Sequence, residues 1–438
     1  MDASRADRVT VVALGCRVGR TDAASMAAAL GPGFRVAQPG EGADWVLVAT
    51  CSVTSDAAAS SRQAVRRAAR EHPGARLLVA GCHAAFESEL LAGIPGVAAV
   101  VEPPDHASIP AILARLRAGQ RPDVAIASAR GEAPAWDAPP DPAAGPARPV
   151  LKIQDGCDAR CAYCAVPLAR GSSRSLGLEE SLARITAVGR VRPEVVLAGV
   201  DLGAWGRDLS PRRTLAELVR AASASRAVQR IRLSSVEPLD LPVGLLGEEA
   251  GALLCEHFHL PLQSGSDQVL AAMRRPYRAA DYVRVVEAVL RARPGAAIGA
   301  DVVTGFPGET EVDHRATLAL LGGLSLAYVH VFPFSPRPGT AAAAMPERPR
   351  IPDVKRRAAE LRDRAARSRT AFVDGLRGRE LEVVVERIRG PIALGTSREY
   401  APVLFPAAGC ARGDRVRVRH GDPGVDFGRE VARAAAPS

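Results

Sequence analysis

Short β-rich runs separated by helix-like segments recur along most of this chain, and that alternation narrows the possible folds more than any other feature. The first series has β-rich runs at 9–14, 45–49, 76–80 and 97–101. Strands alternating with helices specify parallel β/α units, so residues 8–118 are expected to form an open parallel sheet with helices on both faces. The helical segment 55–71 has Ser55 as its expected N-cap and stops before Pro73. Residues 119–148 carry five prolines between Pro134 and Pro146 and read as a linker. A second series follows at 150–154, 195–200, 231–236, 258–262, 298–303 and 328–332, with amphipathic segments such as 178–188, 215–223 and 280–292 between. Six strand and helix pairs predict a full or partial β/α barrel over 149–345, its site at the C-terminal ends of the strands. Residues 346–377 read as a basic helical connector, and 378–435 as a small β-barrel of short strands and turns.

At 47% hydrophobic and 24% charged residues, the 438-residue chain has an ordinary globular composition, which excludes a disordered or fibrous protein. Its uninterrupted apolar runs are far shorter than the roughly 20 residues of a membrane-spanning helix, so no membrane association is expected. The N-terminal segment reads as a first strand rather than a cleaved leader, and the expected location is cytoplasmic. Lys plus Arg number 57 against 48 Asp plus Glu, a formal charge of +9 that favours a polyanionic partner without requiring one. Only Lys152 and Lys355 are lysines, so the arginine count reflects a general bias in this chain.

Eight cysteines are too sparse for a disulfide scaffold, and their positions are more telling than their number. Cys157, Cys161 and Cys164 form a C-x3-C-x2-C set directly after the first strand of the second series. Soft thiolates at this spacing can grip one iron–sulfur cluster, and three ligands for four irons leave one iron open for chemistry. A structural zinc site would want a fourth ligand, and no cysteine or histidine stands nearby in sequence. Cys16, Cys51 and Cys82 each follow a strand of the first series. In a parallel sheet the C-terminal ends share one edge, so these three can converge into a second nest. Cys255 and Cys410 lack partners at ligand spacing and read as incidental thiols. His257 and His259 alternate about Phe258 and read as a solvated or hydrogen-bonded face. Gly305, Gly308 and Glu309 shape a loop after a barrel strand; no GK[ST] follows them.

The cysteine set, with Tyr163 before its last member and a barrel-like run after it, resembles the radical S-adenosylmethionine (SAM) superfamily. LGC, CSVT followed by SRQAVRRA, and AGC resemble the methylthiotransferase family, as do RIRLSSVEP, HLPLQSGSDQVLAAMRR, GADVVTGFPGET and HVFPFSPRPGT, so the likeness runs nearly end to end. It implies two 4Fe-4S clusters, one on Cys16, Cys51 and Cys82 and the other on Cys157, Cys161 and Cys164. It implies S-adenosylmethionine as cofactor, with Tyr163 near its adenine, backbone atoms around Gly199 receiving its amino group, and Ser235, Glu237 and Gln263 at its ribose or methionine parts. The C-terminal segment corresponds to the family's RNA-binding TRAM barrel. Gly19 and Leu176 or Gly177 stand where the family more often has asparagine and arginine.

CSVTSDAAASSRQ, LSSVEP and VHVFPFSPRPGT most resemble the branch acting on N6-threonylcarbamoyladenosine, so the expected reaction is 2-methylthiolation of that base beside the tRNA anticodon. The expected partners are the tRNA anticodon arm and a reducing electron donor such as a flavodoxin or ferredoxin. The alternatives are a methylthiotransferase for prenylated tRNA adenosine or a ribosomal-protein aspartate, and an iron–sulfur RNA-binding regulator without turnover.

Overall fold

The computed structural model describes residues 5–120, 125–127, 136, 145–247 and 251–427. The chain divides into two compact units whose boundaries do not follow chain order. One comprises Met1–Asp141, Asp155–Ser173 and Ser335–Ala343; the other comprises Pro142–Gln154, Arg174–Phe334 and Ala344–Ser438.

In the first unit, strands β1 (Asp7–Ala13), β2 (Phe34–Val36), β3 (Trp45–Thr50), β4 (Arg76–Gly81), β5 (Val97–Val101) and β6 (Ala125–Ala127) form one parallel sheet in the order β2-β1-β3-β4-β5-β6. Every residue of the central strand β3 is buried, as a strand covered on both faces must be. Its side chains alternate between two cores. Trp45, Leu47 and Ala49 pack with Ala23 and Met26 of the Arg17–Ala28 helix and Leu113 and Leu116 of the Ile109–Arg117 helix. Val46 and Val48 pack with Ala64, Val65 and Ala68 of the Ser55–Glu71 helix.

The expected doubly covered sheet is therefore present, with two local corrections. The cap of the Ser55–Glu71 helix is Thr54, not Ser55: Thr54 is extended and its side chain accepts from the Ala57 amide at 3.0 Å, which places the first helical dihedrals at Ser55. The segment assigned as a linker contributes β6, because Ala125–Ala127 precede the prolines that disallow a strand and pair in register with Ala99–Val101. Most of the remaining linker residues lie outside the described set.

The second unit holds six parallel strands, β7 (Val150–Lys152), β8 (Glu194–Ala198), β9 (Arg230–Leu233), β10 (His257–His259), β11 (Ala297–Thr304) and β12 (Tyr328–Pro333). They form two three-stranded sheets, β9-β8-β7 and β10-β11-β12. Parallel bridges Ile231 to Leu254 and Ser235 to His259 join β9 to β10, so the strands run in sequence order as a partial barrel. Helices Leu178–Gly189, Leu215–Ser225 and Ala279–Ala292 fall on the expected segments. Beyond the 24-residue helix Ile351–Asp374, strands β13 (Glu380–Arg389), β14 (Ile392–Ser397), β15 (Pro402–Pro406), β16 (Arg415–Arg419) and β17 (Asp426–Phe427) make an antiparallel sheet ordered β16-β13-β14-β15-β17. Its core is Leu381, Val383, Val385, Ala393, Val403 and Phe405.

Candidate functional site

Cys16, Cys51 and Cys82 stand immediately after β1, β3 and β4, which are neighbours in the sheet. Cys16 also caps the Arg17–Ala28 helix, its Sγ accepting from the Gly19 amide at 3.5 Å. The Cys51 amide donates to Ser61 Oγ at 2.9 Å, and that hydroxyl donates back to the Cys51 carbonyl at 3.0 Å. Two glycines make the close approach possible. Gly15, at φ +93°, lies so near Cys51 that a Cβ there would sit 2.4 Å from Cys51 Cβ and 2.6 Å from its Sγ. Gly81, at φ +101°, would place a Cβ 2.5 Å from the Thr50 carbonyl oxygen. The Cys82 thiol is pushed up to about 11, chiefly by burial, with the Arg170 cation opposing the rise and nearby Cys16 adding to it. Among the described residues no group of three His, Cys, Asp or Glu side chains is arranged to hold a metal ion. Three thiols at the ends of neighbouring strands are of the donor type that holds iron–sulfur clusters.

The second cysteine set occupies the Asp155–Ser173 segment of the same compact unit, so all six sulfurs belong to one body. Gly156, at φ +70°, lets this loop cross its own return: a Cβ there would lie 2.0 Å from the Ser172 carbonyl oxygen. The Cys157 amide donates to the Gly171 carbonyl and the Cys164 amide to the Cys161 carbonyl, both at 3.1 Å. Cys157, Cys161, Cys164 and Tyr163 are all partly exposed.

The other expected contacts lie at the C-terminal ends of the barrel strands in the second unit. Gly199, after β8, rests on Gln154, whose Oε1 would be 2.6 Å from a Gly199 Cβ and accepts from the Asp201 amide at 2.7 Å. Ser235 is half-buried and bridges to His259. Burial raises the pKa of Glu237 while its ion pair with Arg275 opposes the rise. Gln263 has the left-handed φ of +68°, a conformation uncommon for a residue with a Cβ, and is fixed by its amide bond to the Asp301 carbonyl at 2.8 Å. The glycine loop after β11 is as expected: Glu309 accepts from the Gly305 amide at 2.6 Å and pairs with Arg357 at 2.9 Å.

Several polar residues escaped the sequence reading. Arg170 is buried between Asp22, Asp155 and Cys82. Asp301 is another: its Oδ1 lies 3.0 Å from Nε2 of His259, a residue expected on a solvated or hydrogen-bonded face, beside Tyr328 and His330. Arg230 and Arg232 pair with the fully buried Glu194 and also donate to carbonyls of the C-terminal sheet. The signal for the last pair was available: two arginines two residues apart put both charges on one face of a barrel strand.

Comparison with known proteins follows the same division. Residues 8–102 match a family described as "Uncharacterized protein family UPF0004", and residues 151–321 match the radical SAM superfamily. A tRNA-2-methylthio-N(6)-dimethylallyladenosine synthase of Sphingopyxis alaskensis is 33% identical, with 93% of this chain and 94% of the relative aligned. One of the same name from Paracoccus denitrificans is 34% identical over 92% of each. The chain belongs to the radical SAM methylthiotransferases. Among solved structures, the radical S-adenosylmethionine methyltransferase TsrM from Kitasatospora setae shares the fold of this methylthiotransferase at a TM-score of 0.58, with 14% identity and 77% of each chain covered. OxsB, a cobalamin-dependent S-adenosylmethionine radical enzyme, superposes at a TM-score of 0.51 with 12% identity, over 84% of this chain and 56% of that one.

The relatives overturn the threonylcarbamoyladenosine assignment, because the matched methylthiotransferases are named for the dimethylallyl base. The structure supplies the reason the motifs misled. In CSVTS the threonine caps a helix, and in LSSVEP the serines sit at a strand end where Ser234 Oγ accepts from the Gly199 amide at 3.4 Å. These residues report the shared scaffold rather than the base it serves.

Proposed function

We propose that this methylthiotransferase converts N6-dimethylallyladenosine in tRNA to its 2-methylthio derivative. The observation that carries the reading is the near full-length identity of 33–34% to proteins named for that product. Cys157, Cys161 and Cys164 hold one 4Fe-4S cluster, and Cys16, Cys51 and Cys82 the other. When bound, the first would supply reductive cleavage of S-adenosylmethionine and the second a site for the incoming sulfur; an unactivated adenine C2–H needs such cofactor chemistry.

The chain's own residues place the reactants. By the family resemblance, Tyr163 would pack beside the cofactor's adenine, backbone groups at Gly199 would receive its amino group, and Ser235, Glu237 and Gln263 would touch its ribose or methionine parts. Arg275 holds the Glu237 carboxylate in place. On the edge strand β12, Tyr328, His330 and Phe332 alternate onto one face, with His330 and Phe332 exposed. That ladder gives the substrate base a stacking surface. On β16 the exposed Arg415, Arg417 and Arg419 alternate with the partly buried Val416 and Val418; Arg415 pairs with Glu382 and Arg417 with Glu380, and this edge would offer its arginines to phosphates of the anticodon arm. Residues 8–118, 149–345, 346–377 and 378–435 serve as the sulfur-bearing domain, radical core, connector and RNA-binding module. The setting is cytoplasmic, with a flavodoxin or ferredoxin as reductant.

The test is nucleoside mass spectrometry of tRNA from cells with and without the gene. Loss of the 2-methylthio dimethylallyl nucleoside with accumulation of N6-dimethylallyladenosine is expected. An unchanged level of that nucleoside would overturn the assignment.

A further inference from the structure

Arg170 is the C-terminal residue of the short helix Val166–Arg170, six positions after Cys164, and its side chain is only 3% exposed. Each of its three nitrogens has a different partner. Nη1 donates to Asp155 Oδ1 at 2.8 Å, Nη2 to Asp22 Oδ2 at 2.7 Å, and Nε to Cys82 Sγ at 3.2 Å. All four residues belong to one compact unit. Asp22 is in the helix that Cys16 caps, and its side chain is 1% exposed. Asp155 lies two residues before Cys157, and its Oδ1 also accepts from the Gly156 amide at 2.9 Å. One guanidinium thus reaches the third cysteine of the N-terminal set, the helix that starts at the first, and the entry to the C-x3-C-x2-C loop. A planar fork with donors in three directions can do this; the point charge of a lysine cannot.

We infer that Arg170 is a positioning residue that orients Cys82 and sets the reduction potential of the N-terminal cluster. The inference rests on the proposed ligand role of Cys16, Cys51 and Cys82. Hydrogen bonds to ligand sulfurs tune cluster potentials, and partners outside the ligand set orient the ligands. An N–H donated to sulfur favours the reduced cluster, which carries one more electron, so its loss makes reduction harder. The two carboxylates offset the arginine charge, so neutralising one has the opposite effect. With a lone carboxylate left, Arg170 acts on Cys82 as a less compensated cation.

The test uses the full-length chain with Cys157, Cys161 and Cys164 replaced by alanine, reconstituted anaerobically, so that a single cluster is read. Iron and sulfide content, circular dichroism and an EPR-monitored redox titration are compared for this parent, Arg170→Lys and Asp22→Asn. The expected result is a shift of the midpoint to more negative potential in Arg170→Lys and to more positive potential in Asp22→Asn. Loss of iron from a folded Arg170→Lys chain would equally support the orienting role. If Arg170→Lys does not fold, the sign of the Asp22→Asn shift decides. Unshifted midpoints in the folded variants would overturn the inference while leaving the cluster assignment intact. A parent that binds no iron would overturn the ligand assignment and the inference together.

Discussion

Glu194→Gln should destabilise the second unit by about 3–5 kcal/mol, the usual consequence of removing one partner from a buried ion pair. Glu194, Arg230 and Arg232 have no exposed side-chain surface. The carboxylate accepts from Arg230 Nε at 2.6 Å and Arg232 Nε at 2.8 Å, and Arg148 Nη1 is 3.4 Å away. Burial works to raise its pKa, but Arg232, Arg230 and Arg148 together hold it well below the ordinary carboxylate range. The amide substitute keeps the shape and removes the charge, leaving two buried guanidiniums with the Glu382 carboxylate 3.3 Å from Arg230 Nη1 and otherwise neutral acceptors. These include the Thr396 carbonyl at 3.1 Å and the Ser397 carbonyl at 2.8 Å, so the C-terminal sheet should loosen together with the barrel. At roughly 2 °C per kcal/mol for a cooperative body of this size, the melting temperature should fall by about 6–10 °C. The pH dependence follows from the lowered native pKa. The charged carboxylate contributes fully above its unfolded value of about 4.3, and the contribution disappears as pH falls through the native pKa. The gap between the parent and Glu194→Gln, measured by calorimetry, should be constant from pH 7 to about 5 and shrink below that. A gap within 1 °C at pH 7 would refute the reasoning, showing that the carbonyls alone satisfy both arginines.

Three further outcomes are expected. Cys161→Ala should abolish 5′-deoxyadenosine formation under anaerobic reduction with S-adenosylmethionine, as read by liquid chromatography; persistent product would remove that thiol from the reactive cluster. Gly15→Ala should lower iron bound to the N-terminal set, because the new methyl group meets Cys51 at a φ of +93°; metal analysis beside circular dichroism separates this from unfolding. Substituting Arg417 and Arg419 by alanine should weaken tRNA binding and lower the slope of log affinity against log salt by about 0.7–0.9 for each phosphate no longer neutralised, whereas an unchanged slope would place the phosphates elsewhere.

Local patterns were sufficient for β1, β3, β4 and β5 but not for the short edge strands β2 and β6. β3 and β5 are short, nearly continuous apolar runs, and the Ser55–Glu71 helix ends where Pro73 requires, because these patterns are decided within a few residues. The places of the cysteines were also legible: Cys157, Cys161 and Cys164 share one loop segment, and Cys16, Cys51 and Cys82 each follow a strand. What the sequence left undecided were partnerships over long separations. Arg170 and Cys82 are 88 residues apart, and Arg230 and Thr396 are 166 apart. Burial turns such pairs into fixed partners, and no local pattern announces which charged residue will be enclosed with which. The location of the Asp155–Ser173 loop in one body with the N-terminal sheet is likewise a tertiary result, since the barrel strand preceding that loop belongs to the other unit. Chain order determined which elements exist, and packing decided which of their polar ends share a low-dielectric site, where a hydrogen bond or charge acts most strongly.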